Sequence, residues 1–460
     1  MKNLMRQRPG FYREVAALAF PMVVQNLIAQ SLGLIDTLMV GPLGELSMAA
    51  VTLANIPIFV IQFLVFGLQS GGTVLIAQYW GKQDPDAINR VIGIGMYTGG
   101  LLSTAFALTA LVCPEAFMGL FSNNEAVVAE AARYIRVVGM SYVCSSLTSV
   151  YIGAHRSMGN PRLGMWVMSV SLVVNPLLNW VFIYGHLGAP ALGVVGAAIA
   201  TLISRGVEFA VMLGHIAFSR RFRLRPSCMF RPGRVMLGKY LRYATPVVVN
   251  ETFWGIGASL YPTIMGYMAE SSTILAAYAI AGGMEKVCLV AANAVGAAAA
   301  ILIGREIGAG KSGREEIYRM ARSLDTVSFL VGLALGIGMA AASAAVINPI
   351  LFPLFDLSQR AEEITWVMEM MIFAVLPLRS LNIGNTVGIL RGGGDVVAAS
   401  FIDILPVWLV SLPLMVLTGL VLQLDIAWVY LGLSMENTVK TFFSLWRLRS
   451  RRWIRNVTGQ

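Results

Sequence analysis

Residues 46–79 read LSMAAVTLANIPIFVIQFLVFGLQSGGTVLIAQY and contain no Asp, Glu, Lys or Arg. A helix needs roughly 20 mostly apolar residues to cross a bilayer, so this run can span a membrane if it tilts or bends. The whole chain of 460 residues has the same character, with 57% hydrophobic and 13% charged residues and a mean hydropathy of +0.71. Soluble domains carry about 25% charged residues. The sequence therefore predicts an all-α membrane protein.

Apolar segments of the same kind lie on both sides of this run and bring the predicted transmembrane helices to twelve. They cover residues 14–40, 46–79, 91–113, 126–151, 163–185, 192–218, 243–268, 273–304, 323–343, 362–389, 397–421 and 426–446. The second and eighth are too long for one straight crossing, and we expect tilt, bending or extension beyond the bilayer there. The first is too long for the apolar region of a cleaved signal peptide.

The basic residues predict the orientation of these helices. Most of the 34 Lys and Arg lie at the amino terminus, in every second loop or in the carboxyl tail. Because Lys and Arg accumulate on the cytoplasmic side, we expect a multi-pass inner-membrane protein with both termini in the cytoplasm. The net charge of +10 then reflects topology and attraction to anionic lipid, and does not indicate a nucleic-acid partner. We expect the chain to act as a monomer in contact with membrane lipid.

The longest basic linker divides the twelve segments into two groups of six. It covers residues 220–242, RRFRLRPSCMFRPGRVMLGKYLR. We therefore predict an amino-terminal six-helix lobe at residues 1–219 and a carboxyl-terminal six-helix lobe at residues 243–446. A second basic stretch, residues 447–460, is predicted to form a tail, and both the linker and the tail are expected in the cytoplasm.

The two predicted lobes repeat each other in sequence. PMVVQN begins at Pro21 and PVVVNE at Pro246, near the start of the first segment of each lobe. LIAQYWG ends at Gly81 and LIGREIG at Gly308, and HRSMGNPR is matched by LRGGGDVV. Since each lobe has six spans, both copies start on the same side, which makes this a parallel repeat about an axis along the membrane normal. Such repeats are typical of alternating-access carriers.

Six motifs occur in order along nearly the whole chain. They are AQSLGLIDTLMVG, GTVLIAQYWGK, NPLLNWVFIYG, GVVGAAIAT, VGAAAAILIGREIGAGK and LRGGGD. In these motifs the sequence resembles the multidrug and toxic compound extrusion (MATE) family. The resemblance implies two six-helix lobes that form a V-shaped cavity. It also implies a secondary antiporter that exports small organic, often cationic, compounds in exchange for protons or sodium ions.

Asp36 is the first candidate for ion coupling. It lies deep in the first segment, where an ionisable side chain is costly and usually faces a cavity or a partner. A carboxylate in this position can take a proton, or can ligate sodium when other oxygens help. The alternative is a permanent ion pair with a buried base, but no basic residue lies inside the second, third or fifth segment.

Two asparagines and a threonine extend this candidate site. Asn175 and Asn179 are one helical turn apart on the fifth segment and share a face, and Thr201 on the sixth adds a hydroxyl. Helix–helix hydrogen bonding is the alternative role of the asparagines. In the MATE family an Asp of helix one, an Asn/Asp pair on helix five and a Thr of helix six form a cation site. The resemblance therefore implies proton or sodium binding at Asp36, Asn175, Asn179 and Thr201, with Asn179 in place of the family's Asp.

A second candidate lies in the predicted carboxyl-terminal lobe. Glu251 stands in an otherwise apolar stretch of the seventh segment and matches a glutamate that one branch of the family uses for coupling. That branch also has an aspartate on helix ten, which the corresponding LRSLNIGN lacks. Lys286, Arg379 and Asp403 lie within neighbouring segments, so we predict a network of these four residues. Fixed internal pairing is the alternative role of the last three.

Other classes of function receive no support. The four cysteines and three histidines are scattered without metal-ligand spacing, and GREIGAGK lacks the upstream strand of a phosphate-binding loop. We expect no enzyme activity and no cofactor apart from the coupling ion, H⁺ or Na⁺. The alternative function is a lipid-linked saccharide flippase of the same architecture. A flippase would need several cations in its cavity, for which Arg379 and Lys286 are a small supply.

Overall fold

The computed structural model describes residue 7 and residues 9–219, 222–355 and 357–459. Within these ranges the chain is built from seventeen α-helices. In chain order they are α1 (Phe11–Val40), α2 (Glu45–Lys82), α3 (Pro85–Val112), α4 (Pro114–Gly119), α5 (Glu125–Val138), α6 (Tyr142–Ser157), α7 (Arg162–Tyr184), α8 (Val194–Phe218), α9 (Pro226–Phe230), α10 (Arg234–Gly266), α11 (Ser271–Ala309), α12 (Arg314–Ala342), α13 (Asn348–Leu354), α14 (Gln359–Asn382), α15 (Val396–Pro406), α16 (Leu412–Val416) and α17 (Ile426–Arg449).

Short segments of other helical types join several of these helices. Turns of 3₁₀-helix occupy Gly41–Leu43 and Gly139–Ser141, and π-helical segments occupy Ser343–Ile347, Ile383–Leu390, Val407–Ser411 and Leu417–Val421. As a result α5 and α6 form one span, α12 and α13 another, and α15 and α16 a third. Wide π-helical turns are rare and often mark functional sites.

Ten helical spans of the described chain are long and apolar enough to cross a membrane. They overlap the predicted segments one to six and eight to eleven, which confirms the class of an all-α membrane protein. The two remaining predicted segments correspond to α10 and α17, which have 33 and 24 residues but do not reach the same apolar character. Each contains charged side chains, among them Glu251 in α10 and Lys440 in α17. The count of twelve therefore stays a prediction.

The chain divides by its contacts into two compact units. The amino-terminal unit comprises residues 20–76 and the described part of 84–248. The carboxyl-terminal unit comprises the described residues of 1–19, 77–83 and 249–460. The predicted lobes at 1–219 and 243–446 stay a prediction, and Arg220 and Arg221 of the predicted linker lie outside the described residues. Residues 234–242 of that linker form the first turns of α10.

Small residues let α2 approach α10 closely inside the amino-terminal unit. A Cβ atom added at Gly71 would overlap the backbone of Ala244, and one added at Gly67 would lie 2.8 Å from Cα of Val248. The hydroxyl of Tyr240 donates to the carbonyl of Leu68 at 3.0 Å. Close backbone approach through glycine is a common way for membrane helices to associate.

The end of α2 packs inside the carboxyl-terminal unit, against α11 and the tail. Side chains at Gly81 and Gly308 would overlap backbone atoms of Arg305 and Gln78 respectively, so only glycine fits there. The side chain of Gln78 is fully buried, accepts from the backbone N–H of Val457 at 2.8 Å and donates to the carbonyl of Arg455 at 3.0 Å. The predicted tail is therefore an ordered part of this unit.

A buried carboxylate also binds the tail. Asp395, which follows the LRGGG motif, is 1% exposed and pairs with Arg447 at 2.6 Å and Arg455 at 3.0 Å. The indole of Trp453 is completely buried and lies where a side chain at Gly393 would otherwise stand. The glycines of the LRGGG motif have no side chains and thus leave space for the tail.

We predict that a cysteine at Ser227 reacts from the cytoplasm, and that a cysteine at Asn123 reacts from outside. Both native side chains are exposed, and the arginines around Ser227 favour the cytoplasmic side. Native Cys113 is also exposed, so the measurement needs a variant without native cysteines. Labelling in intact cells and in inverted vesicles distinguishes the two faces. Reaction of the Ser227→Cys variant in intact cells would reverse the predicted orientation.

Candidate functional site

Asp36 and two asparagines meet in the amino-terminal unit. α1 carries Asp36, and α7 carries Asn175 and Asn179 on one face. Nδ2 of Asn179 donates to Oδ1 of Asp36 at 2.7 Å and to Oδ1 of Asn175 at 3.3 Å. The two asparagines are 4% and 1% exposed, whereas Asp36 is half-buried. Three of the four predicted side chains are therefore in contact, while their role in ion binding stays a prediction.

One oxygen of this group has no protein partner. Oδ1 of Asn179 is buried and accepts no hydrogen bond. It lies on the same amide whose nitrogen binds Asp36, and no Lys, Arg or His of the described chain forms an ion pair with that carboxylate. A proton on Asp36, or a monovalent cation bound to these oxygens, can supply the missing positive charge.

Thr201 lies near the group, next to a tyrosine. It is on α8, and Tyr134 of α5 is close to both Thr201 and Asp36. Tyr134 is 5% exposed and was not predicted as a site residue. A tyrosine in an apolar segment gives no sequence signal that separates it from an ordinary core residue, so only its contacts identify it.

Arg205 is the nearby cation that could have neutralised Asp36. It lies one turn after Thr201 on α8, and its Nη1 binds both carboxylate oxygens of Glu208 at 2.8 and 2.9 Å. Glu208 is 2% exposed and Arg205 is 30% exposed, so the carboxylate of this pair is removed from water and the guanidinium is half-buried. The charge of Arg205 reaches Asp36 at longer range, but its direct partner is Glu208. Asp36 thus has no direct cationic partner among the described residues.

A chain of alternating charges lies in the carboxyl-terminal unit and begins at Glu251. Nη1 of Arg391 donates to Oε1 of Glu251 at 2.9 Å, and Nη2 lies 3.5 Å from Oδ2 of Asp403. Asn250 also donates to Oδ2 of Asp403, at 3.0 Å. Arg391 is 1% exposed, and a cation so deeply buried needs carboxylate partners.

The chain of charges continues from Asp403 onto α17. Nζ of Lys440 lies 3.2 Å from Oδ1 of Asp403 and 3.7 Å from Oε1 of Glu436. The hydroxyl of Tyr261 on α10 donates to Oε2 of Glu436 at 3.1 Å. We call Glu251, Arg391, Asp403, Lys440 and Glu436 the charge chain. With three carboxylates and two cations, it carries one excess negative charge when all five groups are ionised.

The predicted network of the carboxyl-terminal unit needs a correction. Arg379 hydrogen-bonds Glu285 of α11 and forms an ion pair with it. Lys286 is exposed and forms no ion pair within the described chain. Successive residues of a helix point about 100° apart, so Glu285 can face Arg379 while Lys286 turns away. Glu251 and Asp403 do share a network, as predicted, but its cations are Arg391 and Lys440.

Sequence reasoning missed these two cations for different reasons. Arg391 belongs to the LRG motif and was assigned to a cytoplasmic loop, but the π-helical segment Ile383–Leu390 extends α14 as far as this residue. Lys440 lies within the twelfth predicted segment one turn after Glu436, so its sequence position suggested a local partner and did not connect it to Asp403. The signal present in the sequence was charge balance. The acids Glu251, Asp403 and Glu436 lie within apolar segments, and buried acids require cations as partners.

The donor sets limit the ions that these groups can hold. Within the described residues no group of three or more His, Cys, Asp or Glu side chains could hold a metal ion. Asp36 offers one carboxylate among amide oxygens, and hard monovalent cations and protons suit such oxygen donors better than zinc does.

Comparison with known proteins gives consistent matches. The family model described as MatE matches residues 21–181. A probable multidrug resistance protein NorM from Thermotoga maritima is 24% identical over 453 residues, which covers 97% of this chain and 94% of the relative. The multidrug resistance protein NorM from Vibrio vulnificus is 26% identical and covers 88% of this chain and 86% of its own length.

A solved structure shares the fold. The structure of a MOP superfamily transporter from Pyrococcus furiosus superimposes with a TM-score of 0.83 at 21% identity. The match covers 98% of this chain and 97% of the other. At this identity the likeness concerns the fold alone.

We predict that Arg391→Gln lowers the free energy of unfolding by about 3–5 kcal/mol, the usual loss when one member of a buried ion pair is removed. The substitution leaves Glu251 and Asp403 buried without their shared cation. Thermal or chemical unfolding of the purified protein measures the loss.

The matched control is Arg360→Gln, at an exposed arginine that pairs with three acids. Such exposed pairs contribute about 0–1 kcal/mol, so this variant should unfold nearly as the unmodified protein does. Equal losses in the two variants would contradict a structural role for the buried cation.

Proposed function

Because the chain belongs to the MATE family, a family of membrane transporters and not of enzymes, we propose that it is a secondary antiporter that exports small organic compounds across the cell membrane. Two of its relatives are named as multidrug resistance proteins, which supports drugs as the substrate class. The ion taken up in exchange is a proton or sodium. Both termini face the cytoplasm in this proposal, in agreement with the distribution of Lys and Arg.

The observation that carries the proposal is the state of Asp36. Its carboxylate accepts a hydrogen bond from Asn179 but has no ion-pair partner in the described residues, and Oδ1 of Asn179 is buried without a donor. An uncompensated carboxylate inside a membrane protein usually marks an ion or proton pathway. Binding and release of a cation at Asp36 can therefore drive a change of conformation, because the two states differ by a full charge on a half-buried side chain.

The charge chain is less suited to be the main coupling site. Glu251 is bound directly by Arg391, and Asp403 has both Arg391 and Lys440 within ion-pair distance. An ion would have to compete with two fixed cations for these carboxylates. We assign the charge chain to the packing of α10, α15 and α17, and to the shape of the surface that meets substrate.

The pairing of cations with acids inside the protein also disfavours the flippase alternative. Recognition of a lipid-linked pyrophosphate requires cations with free hydrogen-bond donors. Arg379 is bound by Glu285, so of the two cations considered for a flippase only Lys286 has no ion pair within the described chain. A single unpaired cation offers little attraction to a doubly charged lipid headgroup.

We predict that Asp36→Asn abolishes ion-driven export while folding and substrate binding persist. Asparagine has nearly the same shape, but it cannot exchange a proton and is a poorer cation ligand. Uptake into liposomes with proton and sodium gradients imposed separately measures the coupling and identifies the ion. The matched control is Asp86→Asn, which removes an exposed partner of Arg225 and should leave export unchanged. Export at the unmodified rate by a well-folded Asp36→Asn variant would remove Asp36 from the mechanism.

A second prediction distinguishes the role of Glu251 in transport from that of Asp36. Glu251→Gln leaves the charge chain with two carboxylates and two cations, so the variant should fold. We expect weaker substrate affinity or a changed substrate range, with a residual ion-driven component of transport. Substrate binding and ion-driven uptake are measured in the same liposomes as for Asp36→Asn. Complete loss of coupling in Glu251→Gln, with binding intact, would place the coupling ion in the carboxyl-terminal unit instead.

A further inference from the structure

A buried acid on α14 lies outside both groups of charges described above. Glu369 is completely buried, and its Oε2 accepts a hydrogen bond of 2.8 Å from Nδ2 of Asn348, the first residue of α13. Asn348 is 1% exposed. Ser343, which begins the π-helical segment before α13, lies beside the same carboxyl group, and its hydroxyl is 3.2 Å from Sδ of Met284.

Two atoms of this pair lack a partner, and both are acceptors when Glu369 is ionised. They are Oε1 of Glu369 and Oδ1 of Asn348. The other two polar atoms of the pair already bind each other, so the carboxyl and amide groups are adjacent. A buried acceptor without a donor costs free energy. A proton on Oε1 turns that atom into a donor, and one O–H···O bond to Oδ1 then satisfies both.

We propose that Glu369 and Asn348 form a proton-binding site, in which Glu369 is a neutral carboxylic acid that donates from Oε1 to Oδ1 of Asn348. The ligand is a single proton shared by an acid and an amide. This site is separate from Asp36 and from the charge chain, and it does not depend on the exported substrate.

The surroundings offer no other way to neutralise Glu369. No cation of the described residues pairs with it, and residues 327–354, which include the end of α12 and all of α13, contain no titratable side chain. Glu285 of α11 pairs with Arg379 of α14, and Glu436 and Lys440 of α17 pair with each other. Lys286 of α11 is exposed, and the buried charged group of α12 is the acid Asp325. Cys288 and Tyr430 are the buried uncharged titratable groups of α11 and α17.

Release of the proton would change the packing of α13 on α14. An ionised Glu369 places two acceptors, Oε1 and Oδ1, next to each other and leaves an unpaired charge in an apolar interior. Only the bond from Nδ2 would remain to hold α13. Because α13 follows a π-helical segment, its attachment to α12 is already irregular, and proton occupancy at Glu369 controls how firmly it is held.

The test compares the full-length protein with Glu369→Gln. Glutamine reproduces the protonated acid, since its amide nitrogen can donate to Oδ1 of Asn348 and its oxygen can accept from Nδ2. The infrared band of a protonated carboxylic acid should be present near neutral pH in the unmodified protein and lose intensity in Glu369→Gln. The Tm of the unmodified protein should fall as the pH rises, because folding then has to take up a proton. Glu369→Gln should lose that part of the pH dependence.

Two further variants keep the test decisive. Asn348→Leu removes the acceptor, so it should shift the frequency of the band that Glu369→Gln removes, and this shift can be measured even if Glu369→Gln fails to fold. Asp325→Asn is the matched control, because Asp325 is another buried acid whose oxygens both lack partners, and it should leave the Asn348-sensitive band in place.

Three outcomes would overturn the proposal. They are an unchanged acid band in Glu369→Gln, an acid band that Asn348→Leu does not shift, and loss of the band when sodium replaces choline at constant ionic strength. The last result, together with a higher Tm in sodium, would assign the site to sodium instead of a proton.

Discussion

The free-energy cost of a bare charge in an apolar interior is the constraint on which the other features of this chain depend. A charge that leaves water must be paired, protonated or bound to an ion. In the carboxyl-terminal unit the constraint is met mainly by pairing. Arg391 ties α14 to α10 and α15 because two carboxylates from those helices reach it. The order of helices around this guanidinium is therefore set by charge as well as by apolar contact.

The amino-terminal unit meets the same constraint differently. Its half-buried cation, Arg205, is bound by Glu208 on the same helix. Asp36 consequently has only neutral direct partners among the described residues. In the proposed function its charge is balanced when a proton or a cation binds. The pairing of Arg205 with Glu208 leaves Asp36 as the group that we propose for ion exchange.

Sequence patterns predicted much of this arrangement. The all-α membrane class follows from apolar runs alone, and Asn175 with Asn179 was placed on one face by a spacing of one turn. Arg391 was missed because its burial depends on a π-helical extension of α14 that has no signature in the sequence, and charge balance indicated only that some cation was required. Tyr134 was missed since tyrosine is equally common in cores. Lys286 was included wrongly because adjacent residues on a helix face different neighbours.

The ordered tail has a practical consequence for handling the protein. Trp453 and Val457 are buried, and the backbone of Arg455 hydrogen-bonds both Gln78 and the carbonyl of Gly393. A purification tag joined directly after Gly459 would begin only a few residues from these contacts. Expression vectors should therefore carry a flexible spacer there. Truncation after α17 would expose the apolar surface that Trp453 covers and would remove two of the three hydrogen bonds made by the amide of Gln78.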